Sequence, residues 1–376
     1  MKEHFSRFFD ADPHRLHFAA HSHHPWPDVT FDAHMAAWET AALLVDFKWD
    51  YIFDRVVPRA QRGVANILGL PDPSTIAFAA STHTLLTRLV SALPTPTRIL
   101  TTDAEFHSAA RQFRRWEEAS VASVDRVPAQ PFATFPERFI AAAGDHDLIF
   151  LSQVHFDSGY VTPDINTLVA ALPSDPVVVV DGYHGFMAVP TDLSAIADRI
   201  FYLAGGYKYA MAGEGACFLH APPGWLPRPV DTGWFAGFDT MTEDQTGVPY
   251  PLHGGRFAGG TFDSTGVFRL GAVLEWVEGL ELTVEGIHDH VRGLQDDLLE
   301  GLPESLTSTL LPERATQDRG NFLTFVLEDA GEIHRSMAAH GVVTDYRANR
   351  WRIGMGIYQD RSDIDRFVSV WETANP

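Results

Sequence analysis

The sequence predicts an α/β protein: a large unit on a mostly parallel sheet, followed by a smaller C-terminal α+β unit. From about residue 50 to residue 220, short apolar runs alternate with longer helical patterns, which gives parallel strands covered on both faces. After residue 280 the order becomes helix, strand, helix, strand, helix, a compact unit of about a hundred residues. With 45% hydrophobic residues over 376 positions, the chain has apolar surface for more than one core.

Each element has its own signal. RVVPRAQRGVANILGL has helical spacing and stops at Gly69. TIAFAAS is a short strand, and THTLLTRLVSAL behind it places Leu85, Leu86, Leu89 and Leu93 on one helical face. RILTTD, HDLIFLSQV and PVVVVD read as strands buried on both faces, and RIFYLAGG and GACFLHA as two more. PPGWLPRPVDTGWFAGFD is an irregular excursion rich in Pro, Gly and Trp, after which STGVFRLGAVLEWVEGL restarts a helix. Strands NFLTFVLE and WRIGMGIY then alternate with helices EIHRSMAAHG and DIDRFVSVWET.

Composition excludes several partners. A formal net charge of −21 and the lack of a Lys/Arg cluster argue against nucleic acid and anionic membrane. No stretch approaches the 18 or so apolar residues of a membrane span, and the charged N-terminus lacks a signal-peptide pattern. Cys217 is the only cysteine, which removes a disulfide framework and a cysteine-based zinc site and fits a reducing cytoplasm. His21, His23 and His24 cluster in AAHSHHPWPD, but no carboxylate or cysteine stands with them in a zinc pattern, so no metal is expected.

The chemistry concentrates at strand ends. In GGYKYAMAGEG, Lys208 stands between two tyrosines with glycines on both sides. That pattern suits a Gly-rich surface loop with a solvated lysine, or a lysine reserved for a Schiff base with an aldehyde cofactor. Asp181 closes the four-valine strand of PVVVVDGYHGF, where open α/β sheets bind ligands; alone it also suits a turn or helix cap. One crossover and one strand separate it from Lys208, so the two can meet at one sheet edge. A carboxylate and a lysine flanking one ring is the pairing that pyridoxal phosphate (PLP) requires. Ser81 and Thr82, between a strand and a helix, serve either as a plain cap or as an anion site at the helix N-terminus. Phe106, just after another strand end, could stack on a planar ring or belong to the core.

With LSQVHFDSGYVTPDI, the D-x-x-H-G turn at Asp181–Gly185 and Y-K-Y with its trailing glycines, the chain resembles the fold type I PLP enzymes of the class V aminotransferase superfamily, on the kynureninase side. The resemblance spans nearly the whole chain. It implies Lys208 as Schiff base and Asp181 as pyridine partner, with His184 beside the ring and Phe106 stacked on it. Ser81 and Thr82 would hold the phosphate, Tyr207 would reach the phosphate and the reaction centre, and Ser152 and His155 would complete the cofactor set. Trp234 in DTGWFAG and Thr261 in GGT match residues that reach the phosphate from the neighbouring subunit, implying a homodimer with a shared active site. Arg352 in RWRIGMGIY matches the arginine that grips the substrate α-carboxylate, a task suited to a planar guanidinium. His21 and His23 would line the substrate pocket. The implied organisation is an N-terminal segment 1–45 at the active-site entrance, a PLP-binding domain 46–280 and a small domain 281–376.

Three positions depart from kynureninases. Ser108 stands where an aspartate follows the stacking phenylalanine, Phe262 replaces the asparagine at the aromatic end of kynurenine, and Gly206 replaces a serine before the lysine. Cysteine desulfurases of the same superfamily use a nucleophilic cysteine on a loop well beyond the lysine, whereas Cys217 lies in the strand-like run GACFLH. The expected function is therefore PLP-dependent, kynureninase-like hydrolytic Cβ–Cγ cleavage of a β-acyl alanine. The alternative is a class V aminotransferase or another PLP-dependent lyase or racemase on a small amino acid. A non-enzymatic PLP or amino-acid sensor is the alternative of another class.

Overall fold

The computed structural model describes residues 1–240, 246–313 and 319–374. A two-residue strand, β1 (Leu16–His17), comes first. Seven strands then build the main sheet: β2 (Ile76–Ala79), β3 (Thr97–Thr102), β4 (Ala122–Val127), β5 (Leu148–Ser152), β6 (Val177–Asp181), β7 (Ile200–Gly205) and β8 (Cys217–His220). Their order is β2-β8-β7-β6-β5-β3-β4. The pairings from β7 across to β4 are parallel, while β8 runs antiparallel to both β7 and β2. β2 therefore points the same way as β7. The C-terminal ends of β2, β3, β5, β6 and β7, with the start of β8, share one edge.

Burial explains the central strands. Every residue from Val177 to Val180 is buried, as are Leu148 to Ser152 and Ile200 to Gly205, so both faces are covered, as the apolar runs predict. Helix Val57–Leu68 ends where Gly69 turns left-handed (φ 66°), a conformation that costs glycine nothing. Helix Thr82–Val90 starts at Ser81, whose hydroxyl accepts the Thr84 N–H at 3.1 Å.

Two elements escape the sequence pattern. Edge strand β4 mixes buried and exposed positions and carries Asp125 and Arg126, so no apolar run marks it. Helix Val29–Leu44 packs against helix Thr265–Gly279. Its apolar residues are not confined to that face: Phe31 (45% exposed), Trp38 (68%) and Leu43 (82%) meet solvent in the single chain. Periodicity cannot flag a helix that is apolar nearly all round.

The C-terminal unit holds β9 (Leu310–Leu311), β10 (Phe322–Val326), β11 (Val342–Val343), β12 (Asp345–Arg347) and β13 (Arg350–Gly354). β12-β13-β10-β9 form an antiparallel sheet, and β1 pairs with β11 in parallel. Its core gathers Val291, Leu298, Phe325, Trp351 and Phe367, and the N-terminal segment joins it through Leu16 and Phe18. Phe18 is fully buried, with its ring 4.7 Å from that of Phe367. Beyond it the chain is pinned twice, by Gly354 N–H to the Phe18 carbonyl (2.7 Å) and by His24 N–H to the Tyr207 carbonyl (3.1 Å). The first residues thus tie the C-terminal unit to the lysine turn. Phe18→Ala should cost about 3–5 kcal/mol of stability. A denaturation midpoint equal to wild type would show that this tie carries no load.

Candidate functional site

A cavity of about 270 Å³ opens at the shared strand edge. Its lining includes Ser81, Thr82, Phe106, Ser152, Asp181, His184, Tyr207 and Lys208 from the sequence reading, together with Ser108 and Cys217. Topology makes this convergence: Ser81 follows β2, Phe106 follows β3, Ser152 and Asp181 end β5 and β6 in mutual register, and Lys208 follows β7.

Lys208 is 4% exposed. Its Nζ donates toward His184 Nε2 at 2.9 Å and lies about 5 Å from the ring centres of Tyr183 (4.8 Å) and Phe106 (5.1 Å). Burial pushes the amine down to about 7, against the pull of Asp181; Arg352 pushes in the same direction as burial. Burial also holds His184 well below its ordinary range, so the imidazole is neutral and can accept. The glycines beside the lysine answer to packing. A Cβ on Gly205 would lie 2.3 Å from Tyr183 Oη, and one on Gly206 2.7 Å from the Gly213 carbonyl. The turn folds back on itself, and only bare backbone fits.

Asp181 accepts the Tyr183 N–H at 3.0 Å on Oδ1. Burial raises its pKa, with that hydrogen bond and Lys208 opposing the shift. Among the described residues its Oδ2 accepts no hydrogen bond, so one carboxylate oxygen in the cavity wall is left for a cationic partner. A carboxylate, a buried amine of lowered pKa, an aromatic ring beside that amine and a helix N-terminus with two hydroxyls form a donor set that fits PLP.

The sequence reading missed Glu105. This fully buried carboxyl accepts Ser152 Oγ (2.6 Å) and Thr102 Oγ1 (2.7 Å). Burial pushes its pKa up to about 7; the two hydroxyls oppose this and Asp181 adds to it. The available signal was an acidic residue directly after a strand end and directly before the ring-stacking position.

Other expected residues lie outside the cavity lining. His155 is packed between Phe135 and Tyr160, 5.2 Å and 5.3 Å between ring centres. Trp234 and Thr261 meet each other, indole N–H to hydroxyl at 2.9 Å, and Phe262 lies near them against Phe235. His23 stacks on Tyr207 at 5.3 Å. His21 is buried, stacked on Phe322 at 4.8 Å, with Nε2 3.5 Å from Asp345 Oδ2. Arg352 is buried too: its Nη1 donates to the carbonyl of Phe156, a cavity residue, and its Nη2 pairs with Asp345. Among the described residues no group of three or more His, Cys, Asp or Glu could hold a metal. No helix among them is long and apolar enough to cross a membrane.

The fold and this site define a fold type I, PLP-dependent enzyme. The chain belongs to the aminotransferase class-V family, whose model matches residues 52–367. A cysteine desulfurase of Cronobacter sakazakii is 30% identical over 161 residues, 41% of this chain and 37% of that protein. A probable cysteine desulfurase of Chlamydia muridarum is 28% identical over 253 residues, 60% of this chain and 58% of that protein. The chain thus spans about half the length of these curated relatives. Among solved structures, the cystine C-S lyase C-DES superposes with a TM-score of 0.82 at 17% identity, covering 98% of this chain and 99% of that one. A cysteine desulfurase from Thermococcus onnurineus NA1 gives 0.78 at 16% identity, covering 96% and 94%. At such identities the superpositions establish the fold. The family and cofactor expected from the sequence stand. The kynureninase leaning finds no support here: the curated relatives are described as cysteine desulfurases and C-DES as a cystine C-S lyase.

A lysine titrating near 7 should attack the PLP aldehyde readily at neutral pH. Covalent attachment to apoenzyme should accelerate as pH rises through about 7 and then level off. Stopped-flow absorbance across pH checks this, and a rate still climbing at about pH 10, as for an ordinary lysine, would refute the shift.

Proposed function

We propose that this protein is a PLP-dependent lyase that cleaves the Cβ–S bond of a small sulfur amino acid and releases the sulfur as a free product. One observation supports this over desulfuration through a protein persulfide. The only cysteine, Cys217, starts β8 in the cavity wall, 4% exposed and 3.5 Å from the Tyr183 hydroxyl. Burial raises its pKa, away from a thiolate. Desulfurases of the superfamily carry their nucleophilic cysteine on a loop well beyond the lysine, and no cysteine follows Cys217 in this sequence. The description of C-DES as a cystine C-S lyase, with cysteine persulfide as its product, points to the same class of reaction.

Lys208 would anchor the cofactor aldehyde, and Asp181 would hold the proton on its ring nitrogen. Ser81, Thr82 and the N–H groups of helix Thr82–Val90 would bind the phosphate. When bound, PLP supplies an electron sink for the pair left at the substrate Cα. Lys208 would take the Cα proton at Nζ, and neutral His184 would orient the lysine amine. The Cβ–S pair leaves with sulfur, which Tyr207, kept protonated by burial (about 12), meets with its O–H. Pyruvate and ammonia follow after water is taken up. Arg352 receives the α-carboxylate.

The partner is a second copy of this chain. Phe31, Trp38, Leu43 and Phe47 expose apolar side chains along helix Val29–Leu44 and just beyond it, and Trp234 with Thr261 lies outside its own cavity lining, where a neighbour's phosphate would meet it.

Product analysis with cystine, cysteine, alanine and kynurenine tests the reading. Cystine should yield pyruvate and a persulfide, with little alteration of kynurenine; anthranilate from kynurenine would restore the kynureninase-like alternative. Lys208→Ala should abolish turnover and leave no borohydride-reducible link to PLP. Trp38→Glu with Leu43→Glu should sediment as a monomer and lose PLP, and a PLP-replete active monomer would overturn the shared site.

A further inference from the structure

Arg352 is engaged before any substrate arrives. On adjacent strands of the C-terminal sheet, Asp345 of β12 and Thr324 of β10 flank it in register. Asp345 Oδ2 pairs with Arg352, and its Oδ1 accepts from the half-exposed Arg347 at 2.6 Å. Of five guanidinium N–H groups, one goes to Asp345 and one to the Phe156 carbonyl, while Nε has no partner and is fully buried. An unsatisfied buried donor awaits an acceptor. Next to the same Asp345 oxygen stands His21, neither ring nitrogen hydrogen-bonded. A Cβ on Gly354 would lie 2.1 Å from His21 Nδ1, so this glycine makes room for the ring.

We propose that Asp345 is a positioning residue that occupies Arg352 as an internal stand-in for the substrate carboxylate. Docking then proceeds by exchange, with Asp345 passing to Arg347 and to a proton taken up by His21. The inference rests on the reading of Arg352 as the α-carboxylate clamp. Charge balance drives the exchange. A second carboxylate beside one guanidinium leaves an uncompensated buried negative charge, which a proton on His21 cancels. The charged and titratable groups around His21 are Asp345, Arg352, Lys208, His184 and His17. Burial keeps free His21 neutral, its pKa pushed down to about 4 against the pull of Asp345. For Asp345, burial would raise the pKa, but His21, Arg352 and Arg347 together hold it well below the usual carboxylate range. The proton acceptor is therefore His21. Binding an anion raises the His21 pKa, the bound state carries more protons, and affinity falls as pH rises.

Propionate isolates this step, since it has a carboxylate and no amine to react with the cofactor. PLP-loaded enzyme titrated with propionate by calorimetry, in two buffers of different ionisation enthalpy, should take up a fraction of a proton per propionate. Its affinity should weaken from about pH 5 to about pH 8. His21→Gln should bind without uptake and without pH dependence. Asp345→Asn should bind roughly tenfold more tightly near neutrality, again without uptake. Wild-type binding with no proton uptake and flat pH dependence overturns the exchange, as does weaker binding by a folded Asp345→Asn. If Asp345→Asn does not fold, wild type and His21→Gln decide the matter. The two readings fail separately: propionate binding unchanged in Arg352→Ala removes the clamp itself, whereas binding lost there but pH-independent in wild type removes only the exchange.

Discussion

Burying the amine of Lys208 is the constraint around which the site is arranged. A cation with 4% of its surface exposed is costly unless it is paired or neutral. Here burial favours neutrality, with Arg352 pushing the same way against the pull of Asp181, while His184 accepts from the amine and Tyr183 and Phe106 stand beside it. The same burial demands glycines in the turn and a sheet edge at which five strand ends meet. A neutral buried amine is what attack on an aldehyde requires, so the packing that raises its cost also prepares its chemistry.

Much of this was legible because open parallel sheets put function at strand ends. A run of four valines ending in Asp181, a strand ending before Gly206-Tyr207-Lys208, and Ser81-Thr82 at a helix start each mark such an end. What the sequence hides are partners set by register across the fold. Asp345 and Arg352 are opposite each other only because β12 and β13 form a tight hairpin, and nothing in VVTDYRANRWR shows the salt bridge directly. Glu105 is hidden in another way, since its burial depends on Ser152 from a neighbouring strand. Helix Val29–Leu44 is obscure for a third reason: its apolar residues answer to two surfaces, one within the chain and one open to solvent.

The family fixes the cofactor but leaves the reaction to what surrounds it. A desulfurase needs a mobile thiol, and the chain has spent its one cysteine on a strand in the cavity wall. Only Ala348 and Asn349 join β12 to β13, so Arg352 sits on a tight hairpin with its pairing to Asp345 fixed by register.

Rigidity in turn explains why the N-terminal segment matters. His21 can sit beside Asp345 only because Phe18 anchors the segment in the C-terminal core and His24 is tied to the lysine turn. His21 stacks on Phe322 and His184 tilts against the same ring at 5.4 Å, so one aromatic side chain lies between the surroundings of Arg352 and those of Lys208. His184, the acceptor of the Lys208 hydrogen bond, thus shares one ring with His21, which stands beside the Arg352–Asp345 pair. The Arg352–Asp345 and Lys208–His184 pairs are then two ends of one buried assembly, with the N-terminal residues as part of its frame.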